Sequence, residues 1–304
     1  MKVIFLGTGD FSLKVFEGVA ASRHEIAAVV CQPDKVNQRN GKIKPSPVSV
    51  AAEQAGIPVF KFEKISENVE ELRPFNADIM LTAAYGQMLS EEVLNLTPYG
   101  VINTHASLLP KYRGASPIQS AIEDGETISG VTIMRTVKKM DAGDIIFQST
   151  VDITGMNSEE CFAVMADLAA VTVVEALDLI EDGKAVYTPQ NEAEASYCKK
   201  LKKSDGAIDF NESADRILNK IRAYYGFPGS YFYYAGKLVK ILAAEYADQK
   251  GAPGEVLVSE PKKGFVIAAG SGALSVTKIQ PEGGKAMAVA DYLRGHKIPV
   301  GTIL

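Results

Sequence analysis

The stretch that decides the fold is VINTHASLLPKYRGASPIQSAIEDGETISGVTIMRTVKKMDAGDI, residues 101–145. Its first residues are apolar and β-branched, which predicts a buried strand that ends at His105, just before a loop with the sequence SLLP. Ligands bind to open α/β sheets at the carboxyl ends of the strands. We therefore expect His105, one of only three histidines in the chain, to lie at a ligand site.

Two further polar residues of this stretch extend the prediction. Asn103 lies two residues before His105, so both side chains point to the same face of a strand. Asp141, in the turn DAGD, is placed to hold the imidazole in one tautomer or to relay its proton. An amide, an imidazole and a carboxylate suit acyl transfer. Taken singly, the same residues also fit a structural histidine and a turn-forming aspartate.

A covalent acyl-enzyme is not indicated. The sequence contains no Gly-x-Ser-x-Gly turn, and no cysteine lies close in sequence to the three polar residues. Gly7-Thr8-Gly9 follows the first predicted strand, but the dinucleotide fingerprint G-x-G-x-x-G has Ser12 at its third glycine position. An ordinary turn between a strand and a helix is therefore the favoured interpretation.

Strands and helices alternate through the first part of the chain, which is typical of a doubly wound, mostly parallel α/β sheet. The predicted strands lie at residues 2–7, 25–31, 57–60, 77–84, 101–105, 130–135 and 145–153. Helices are predicted after Gly9 and at residues 48–56, 63–73, 116–123 and 157–181. Beyond residue 206, a helix at 212–224 precedes five short strands between residues 230 and 279, which predict a small β-barrel. We expect a catalytic domain at 1–188, a linker at 189–206 and a barrel domain at 207–304.

Composition narrows the class of protein. A hydrophobic content of 46% over 304 residues fits a folded, water-soluble protein. No apolar run approaches ~18 residues and no signal-peptide pattern opens the chain, so we expect a cytoplasmic protein without a membrane partner. Cys31, Cys161 and Cys198 are too few and too unpatterned for disulfides or a metal site. We expect reduced thiols and no metal.

The charges divide unevenly along the chain. Residues 191–304 carry 16 Lys and Arg against 12 Asp and Glu, a formal charge of +4, whereas residues 1–190 carry −9. A basic small domain beside an acidic one fits binding to a nucleic-acid backbone, although a solvated charged surface explains the excess equally well. The loop QPDKVNQRNGKIKPSPV, residues 32–48, is long, polar and basic, so it is either functional or an ordinary surface loop.

The ordered combination of Asn-x-His, SLLPKYRGASP and Asp-x-Gly 36 residues after the histidine resembles the 10-formyltetrahydrofolate-dependent formyltransferases. The resemblance runs nearly end to end and is strongest to the branch that acts on methionyl-tRNA. It implies transfer of the formyl group from the cosubstrate 10-formyltetrahydrofolate to the α-amino group of aminoacylated initiator tRNA. The family's triad falls on Asn103, His105 and Asp141, without substitution. Asn103 and a protonated His105 would stabilise the tetrahedral oxyanion.

The resemblance also implies binding residues and a fold. It implies a Rossmann-like catalytic domain and a C-terminal barrel of OB type that binds tRNA, and we expect the protein to act as a monomer. Folate contacts fall on Ser107, Leu108, Leu109 and Pro110, and on main-chain groups of Gly86, Gln87, Met88 and Leu89. Contacts with tRNA fall on Arg39, Lys42 and Lys44 in the basic loop, and on Lys199, Lys200, Lys202 and Lys203.

Two other functions remain open. An amino-sugar nucleotide formyltransferase would use the same chemistry on another acceptor, but the basic loop and the Lys-rich linker speak against it. A folate- or RNA-binding protein without catalytic activity is the second alternative, and the complete set of Asn103, His105 and Asp141 argues against it.

Overall fold

The computed structural model describes residues 1–36 and 43–304, and it divides into two compact units. The first unit comprises Met1–Gly114, Ser129–Val151 and Phe162–Cys198. The second comprises Ala115–Ile128, Asp152–Cys161 and Lys199–Leu304. Each unit is thus assembled from segments that are distant in sequence. The predicted limits at residues 188 and 206 stay predictions about which parts of the chain fold independently.

A seven-stranded sheet forms the centre of the first unit. Its strands and those of two small sheets are, in chain order, β1 (Lys2–Gly7), β2 (Glu25–Cys31), β3 (Lys35–Val36), β4 (Ile43–Lys44), β5 (Val59–Lys61), β6 (Ile79–Ala83), β7 (Val101–His105), β8 (Arg113–Gly114), β9 (Ile128–Arg135), β10 (Ile145–Asp152) and β11 (Tyr197–Cys198). The order in the large sheet is β10-β9-β7-β6-β1-β2-β5. Five adjacent strands run parallel to one another, namely β7, β6, β1, β2 and β5, and β9 is antiparallel to β7. The predicted α/β sheet is therefore confirmed.

The middle of the sheet is buried on both faces, as its sequence predicts. In β1 the residues from Val3 to Leu6 have no exposed surface, which is typical of a parallel strand covered by helices on each side. Ile4 and Leu6 belong to the core on one face, whereas Phe5 packs edge to face against Phe16 on the other. This burial fixes β1 in the centre of the sheet and places its neighbour β6 beside β7.

The turn after β1 is closely packed. A Cβ atom on Gly7 would lie 2.7 Å from the Cβ of Ser12 and 3.0 Å from the carbonyl oxygen of Ala83, so only glycine fits. Ser12 is fully buried and donates a hydrogen bond to the Ala83 carbonyl oxygen at the end of β6. Ser12 thus joins the turn to the neighbouring strand, in agreement with the interpretation of Gly7-Thr8-Gly9 as a turn.

The described residues before position 182 form five α-helices, namely α1 (Asp10–Ala20), α2 (Pro47–Gln54), α3 (Glu91–Leu94), α4 (Pro117–Glu123) and α5 (Ser158–Glu181). The helix predicted at residues 63–73 is wrong, because three short 3₁₀ turns occupy this segment (Ile65–Glu67, Val69–Glu71 and Arg73–Phe75). The side-chain amide of Asn68 donates to the Lys64 carbonyl oxygen that an α-helix would use, while its backbone N–H bonds to Ile65. Pro74 has no backbone N–H and so cannot donate the hydrogen bond that would continue an α-helix.

The second unit is an antiparallel sheet domain. Its C-terminal elements are α6 (Ala214–Ala223), β12 (Ser230–Tyr234), β13 (Lys237–Ala247), β14 (Val256–Glu260), β15 (Gly264–Ala268), β16 (Ala273–Pro281), β17 (Met287–Ala288) and α7 (Val289–Gly295). The strand order is β12-β13-β16-β15-β14, with β17 paired to β16. The core contains inward-facing strand residues and the apolar face of α6, including Ile217 and Ile221. The five predicted strands are all present.

Two further observations concern the segment at residues 32–48 and the helices of the described residues. β3 and β4 pair as a short antiparallel ladder, which the polar sequence of residues 32–48 did not predict. None of the helices in residues 1–36 and 43–304 has the length and the apolar character needed to cross a membrane.

Candidate active site

The carboxyl ends of β6 and β7 lie side by side, because Thr82 is in register with Asn103 in their parallel pairing. Asn103 is half-buried and His105, the last residue of β7, is 6% exposed. The other two histidines lie elsewhere. His24 is buried near Asp178 at the start of β2, and His296 stacks on Tyr292 in the second unit. His105 is therefore the histidine at the strand edge where a ligand is expected.

Both ring nitrogens of His105 have defined surroundings. Nε2 lies 2.9 Å from the carbonyl oxygen of Tyr112, and because a carbonyl only accepts hydrogen bonds, Nε2 carries the hydrogen. Nδ1 is then the nitrogen that gains or loses a proton, and it lies 3.7 Å from Oδ2 of Asp141. Burial lowers the pKa of His105, and the Asp141 carboxylate and the Tyr112 carbonyl oppose this shift. The resting imidazole is thus neutral at pH 7.

Asp141 is held by backbone geometry as well as by hydrogen bonds. Its φ of +47° lies in the left-handed region, which Asp and Asn tolerate better than most residues. The backbone N–H of Gly114 donates a 2.8 Å hydrogen bond to Oδ2. The carboxylate is 17% exposed, so its charge acts on His105 with little solvent between them. The structure therefore brings together His105 and Asp141, and it places Asn103 two residues before His105 on β7.

The amide of Asn103 has a fixed orientation. Its Oδ1 accepts a 2.7 Å hydrogen bond from the hydroxyl of Thr82, a residue 7% exposed on the adjacent strand. Because Oδ1 faces Thr82, the two N–H groups of the Asn103 side chain point away from Thr82. Thr82 thus makes Asn103 a donor at the edge that also carries His105.

The predicted folate segment Ser107, Leu108, Leu109 and Pro110 is a tightly bonded turn that follows His105. Ser107 is fully buried, and its hydroxyl donates to the Lys111 carbonyl oxygen at 2.7 Å. Thr132 accepts from the Leu109 N–H and donates to the Ser107 carbonyl oxygen. Ser107 and Leu109 therefore shape the turn, whereas Leu108 and Pro110 keep partly exposed surface for contact.

The second predicted folate segment, Gly86, Gln87, Met88 and Leu89, follows β6. The side chain of Gln87 is already occupied, since it accepts from the Ile65 N–H and donates to the Phe62 carbonyl oxygen and to Gln32. Gly86 is exposed with φ +85°, and Met88 is 70% exposed. Any contact of Gln87 with a ligand would thus use its main chain.

The predicted tRNA-contact lysines fall into two groups. Lys44 is exposed, whereas Arg39 and Lys42 lie outside the described residues. In the second unit, Lys199 pairs with Asp205 at 2.7 Å. Lys200, Lys202 and Lys203 are exposed, and no ion pair of theirs occurs within the described part of the chain.

Sequence reasoning missed the residues that support the triad. The largest fully buried side chain in the described residues is Arg113, which bonds to Gln190. Cys198 also comes near, with its sulfur 3.3 Å from the Arg113 carbonyl oxygen. The only signal in the sequence was the position of Arg113 inside SLLPKYRGASP, since Gln190 and Cys198 lie 77 and 85 positions away from it in the chain.

Two family models match the chain, one described as formyl transferase over residues 1–176 and one as formyl transferase, C-terminal domain, over residues 200–297. The chain belongs to the formyltransferase family. A methionyl-tRNA formyltransferase of Sulfurihydrogenibium sp. (strain YO3AOP1) is 40% identical over 99% of each chain. Another, from Agathobacter rectalis, is 41% identical over 99% of each chain.

A solved formyltransferase structure agrees with the fold. The N-formyltransferase from Helicobacter canadensis, in complex with folinic acid and dTDP-3-aminofucose, superposes with a TM-score of 0.67. This match covers 91% of the present chain and 99% of the other at 18% identity. The formyltransferase fold thus extends beyond the first unit to most of the chain.

Proposed function

We propose that this formyltransferase transfers the formyl group of 10-formyltetrahydrofolate to the α-amino group of methionyl-tRNA. The observation that carries the proposal is the His105–Asp141 pair, 3.7 Å apart, at the strand edge that also carries the amide donor of Asn103. This arrangement supplies an oxyanion donor and a proton acceptor at one strand edge. The relatives that are about 40% identical over their full length bear the name of this activity.

The first step joins the acceptor amine to the formyl carbon. A free α-amine titrates near ~8, and esterification to tRNA lowers this value, so a neutral amine is available at neutral pH. Its lone pair forms the new N–C bond while the carbonyl π electrons move to oxygen. Asn103 donates to this oxyanion. Because burial keeps His105 neutral at rest, Nδ1 accepts the proton that the attacking nitrogen must lose, directly or through one water.

The second step breaks the bond between the formyl carbon and N10 of the folate. Protonated His105 now faces the Asp141 carboxylate, whose charge raises the pKa of the imidazole and stabilises the imidazolium next to the oxyanion. The proton on Nδ1 passes to N10, which is otherwise a poor leaving group. Formyl-methionyl-tRNA and tetrahydrofolate result, and His105 returns to its neutral form. The proposed route needs no metal.

The identity of the acceptor rests on other residues. The exposed Lys200, Lys202 and Lys203, together with the basic loop that ends at Lys44, supply charge for a phosphate backbone. A sugar nucleotide carries too few phosphates to need such a surface. A tRNA acceptor therefore explains both the basic residues and the chemistry, whereas an amino-sugar acceptor explains the chemistry alone.

A single-turnover assay tests the proposal. The enzyme is mixed with formyl-labelled 10-formyltetrahydrofolate and either methionyl initiator tRNA or a dTDP-amino sugar. We expect the label on the methionine amine, and a rate that falls steeply with salt. Label on the sugar alone would mean that the acceptor is an amino-sugar nucleotide and not methionyl-tRNA. Folate binding without transfer to either acceptor would contradict a catalytic function.

A further inference from the structure

A three-residue segment, Tyr112-Arg113-Gly114, contacts both titratable members of the site through backbone atoms. The Tyr112 carbonyl oxygen bonds to Nε2 of His105, and the Gly114 N–H bonds to Oδ2 of Asp141. The distance between imidazole and carboxylate therefore depends on where this segment lies. The middle residue, Arg113, points its side chain elsewhere and is 0% exposed.

The guanidinium of Arg113 is fully engaged. It donates from Nε and Nη2 to the side-chain oxygen of Gln190, at 3.0 and 2.8 Å. Its outer nitrogens bond to both carboxylate oxygens of Glu192, and Nη1 also lies 3.1 Å from the Tyr197 hydroxyl. Hydrogen bonds from Arg113 and Lys139, together with their positive charges, lower the pKa of Glu192 to about 2. A buried guanidinium with this many partners is rigid.

Gln190 connects Arg113 to the turn that carries Asp141. Its side-chain nitrogen donates to the carbonyl oxygens of Asp141 and Gly143, at 2.9 and 2.7 Å. The oxygen of the same amide accepts both hydrogen bonds from Arg113, so the hydrogen-bonding capacity of Gln190 is used completely. The turn is also tightly packed, because a Cβ on Gly143 would lie 1.8 Å from the Arg135 carbonyl oxygen.

We propose that Arg113 is a positioning residue for formyl transfer, which sets the His105–Asp141 separation through Gln190 and through its own backbone neighbours. One rigid side chain thereby fixes both sides of the pair: the segment that bonds to His105 and the turn that presents Asp141. The expected effect on the rate of formyl transfer rests on the proposed function. Its geometric consequence, the proton affinity of His105, is independent of any reaction.

The prediction for His105 has a definite direction. Asp141 raises the pKa of His105 against the effect of burial. If Arg113 or Gln190 no longer holds the turn, the carboxylate moves away and the pKa of His105 falls further. The chain has only three histidines, so the imidazole resonance of His105 can be assigned in an NMR titration by comparison with His105→Gln.

Three variants separate positioning from general stability. Gln190→Met removes the bonds to the Asp141 turn with little change in volume, and Arg113→Lys keeps the buried charge but loses the planar fork. Glu194→Gln is the matched control, because Glu194 lies in the same short segment, is exposed, and has Asn191 as its hydrogen-bond partner. Each variant is compared with wild type by NMR titration, thermal unfolding and single-turnover kinetics.

We expect Gln190→Met and Arg113→Lys to lower the pKa of His105 by about half a unit or more, roughly a threefold change in proton affinity. Their kcat should fall by about 10-fold to 100-fold, as for a misplacement near 1 Å, with tetrahydrofolate affinity unchanged. Glu194→Gln should leave both quantities at wild-type values. Adding Arg113→Lys to Asp141→Asn should lower the pKa no further, since Arg113 acts through Asp141.

A purely structural Arg113 would give another pattern. Thermal stability would fall while the pKa of His105 and the kcat of the folded fraction stayed at wild-type values, and this result would overturn the proposal. An additive effect in the Asp141→Asn background would overturn it as well. Absence of tRNA formylation by the wild-type enzyme would instead contradict the proposed function and leave the NMR comparison valid.

Discussion

The Nδ1 atom of His105 lies 3.7 Å from the Oδ2 atom of Asp141. This separation is too long for a hydrogen bond, but it is short enough for the carboxylate to stabilise a proton that arrives on Nδ1. The same oxygen accepts a hydrogen bond from Gly114, which keeps the carboxylate in place. The pair thus combines a fixed negative charge with a nitrogen that is free to titrate.

Replacing His105 should remove the proton route. We expect His105→Ala to lower the single-turnover rate by ~10²–10⁴-fold, the usual contribution of an acid–base group. Equilibrium binding of tetrahydrofolate should change little, because the pterin is expected to contact main-chain groups. His296→Ala is the control, since this exposed ring stacks on Tyr292 in the second unit. A His105→Ala rate above about a tenth of wild type would exclude His105 from the chemistry.

Replacing Asp141 should move the pH profile. Asn tolerates the φ of +47° and its amide oxygen can still accept from Gly114, so Asp141→Asn removes the charge alone. Without that charge the pKa of His105 falls further. Because the neutral imidazole is the active base, the acid limb of kcat/KM should shift to lower pH while kcat drops. Asp144→Asn in the same turn should leave the limb in place, and an unshifted limb in Asp141→Asn would make Asp141 a turn residue only.

Replacing Thr82 should release Asn103. In Thr82→Val the shape is kept, but Oδ1 of Asn103 loses its donor and the amide is free to rotate. Loss of one hydrogen bond of about 0.5–1.5 kcal/mol predicts a roughly twofold to tenfold fall in kcat. KM for the folate should not change. Thr82→Ser retains the hydroxyl and should recover the wild-type rate, whereas equal losses in both variants would point to packing.

Stability should depend on His105 below neutral pH. Burial holds the pKa of His105 under its ordinary value of ~6.5, so the unfolded chain binds more protons than the folded chain between these two values. The free energy of unfolding should therefore decrease as the pH falls through that window. His105→Gln does not titrate and should show a shallower decrease in urea unfolding between about pH 7.5 and 5. His24→Gln removes a second histidine whose pKa burial also lowers, which allows the two slopes to be separated.

The basic loop should bind tRNA through charge. The double variant Arg39→Ala/Lys42→Ala should weaken tRNA binding and reduce the slope of log affinity against log salt by roughly 0.7–0.9 per lost contact. The acid in this region, Asp34, already pairs with Lys61 at 2.8 Å. Lys64→Ala/Arg73→Ala is a matched control, since both residues are exposed and ion-paired.

Folate binding should be unchanged in the double variant, and its unfolding free energy should stay within about ±0.5 kcal/mol. Salt slopes that are identical in the variant and the wild type would remove the loop from the tRNA site. They would also weaken the choice of tRNA over a sugar nucleotide as acceptor.

Local patterns predicted the parts of the fold that depend on nearby residues. The two-residue period of a strand placed Asn103 and His105 on one face, and alternating strands and helices predicted the parallel sheet. The prediction of a helix at residues 63–73 failed, because the side chain of Asn68 donates to the Lys64 carbonyl oxygen in place of a backbone N–H. The spacing of apolar residues gives no sign of this hydrogen bond.

The supports of the site could not be predicted for a different reason. A sequence does not distinguish an arginine that will be buried from one on the surface. Arg113 is covered by partners such as Gln190 and Glu192, which lie almost 80 residues away in the chain. The tautomer of His105 depends likewise on the Tyr112 carbonyl oxygen, a backbone atom whose direction no side-chain pattern encodes.

The parallel pairing of β11 with β8 has a consequence for synthesis of the chain. The three triad residues leave the ribosome well before Gln190 and Tyr197, so the nascent enzyme lacks the partners of Arg113 until the first unit is complete. A protein truncated at residue 188 would contain the whole triad but would lack Gln190, Glu192 and Tyr197, the side chains to which the Arg113 guanidinium donates. A catalytic fragment in which the Arg113 guanidinium keeps these partners would have to extend to Cys198, where β11 ends.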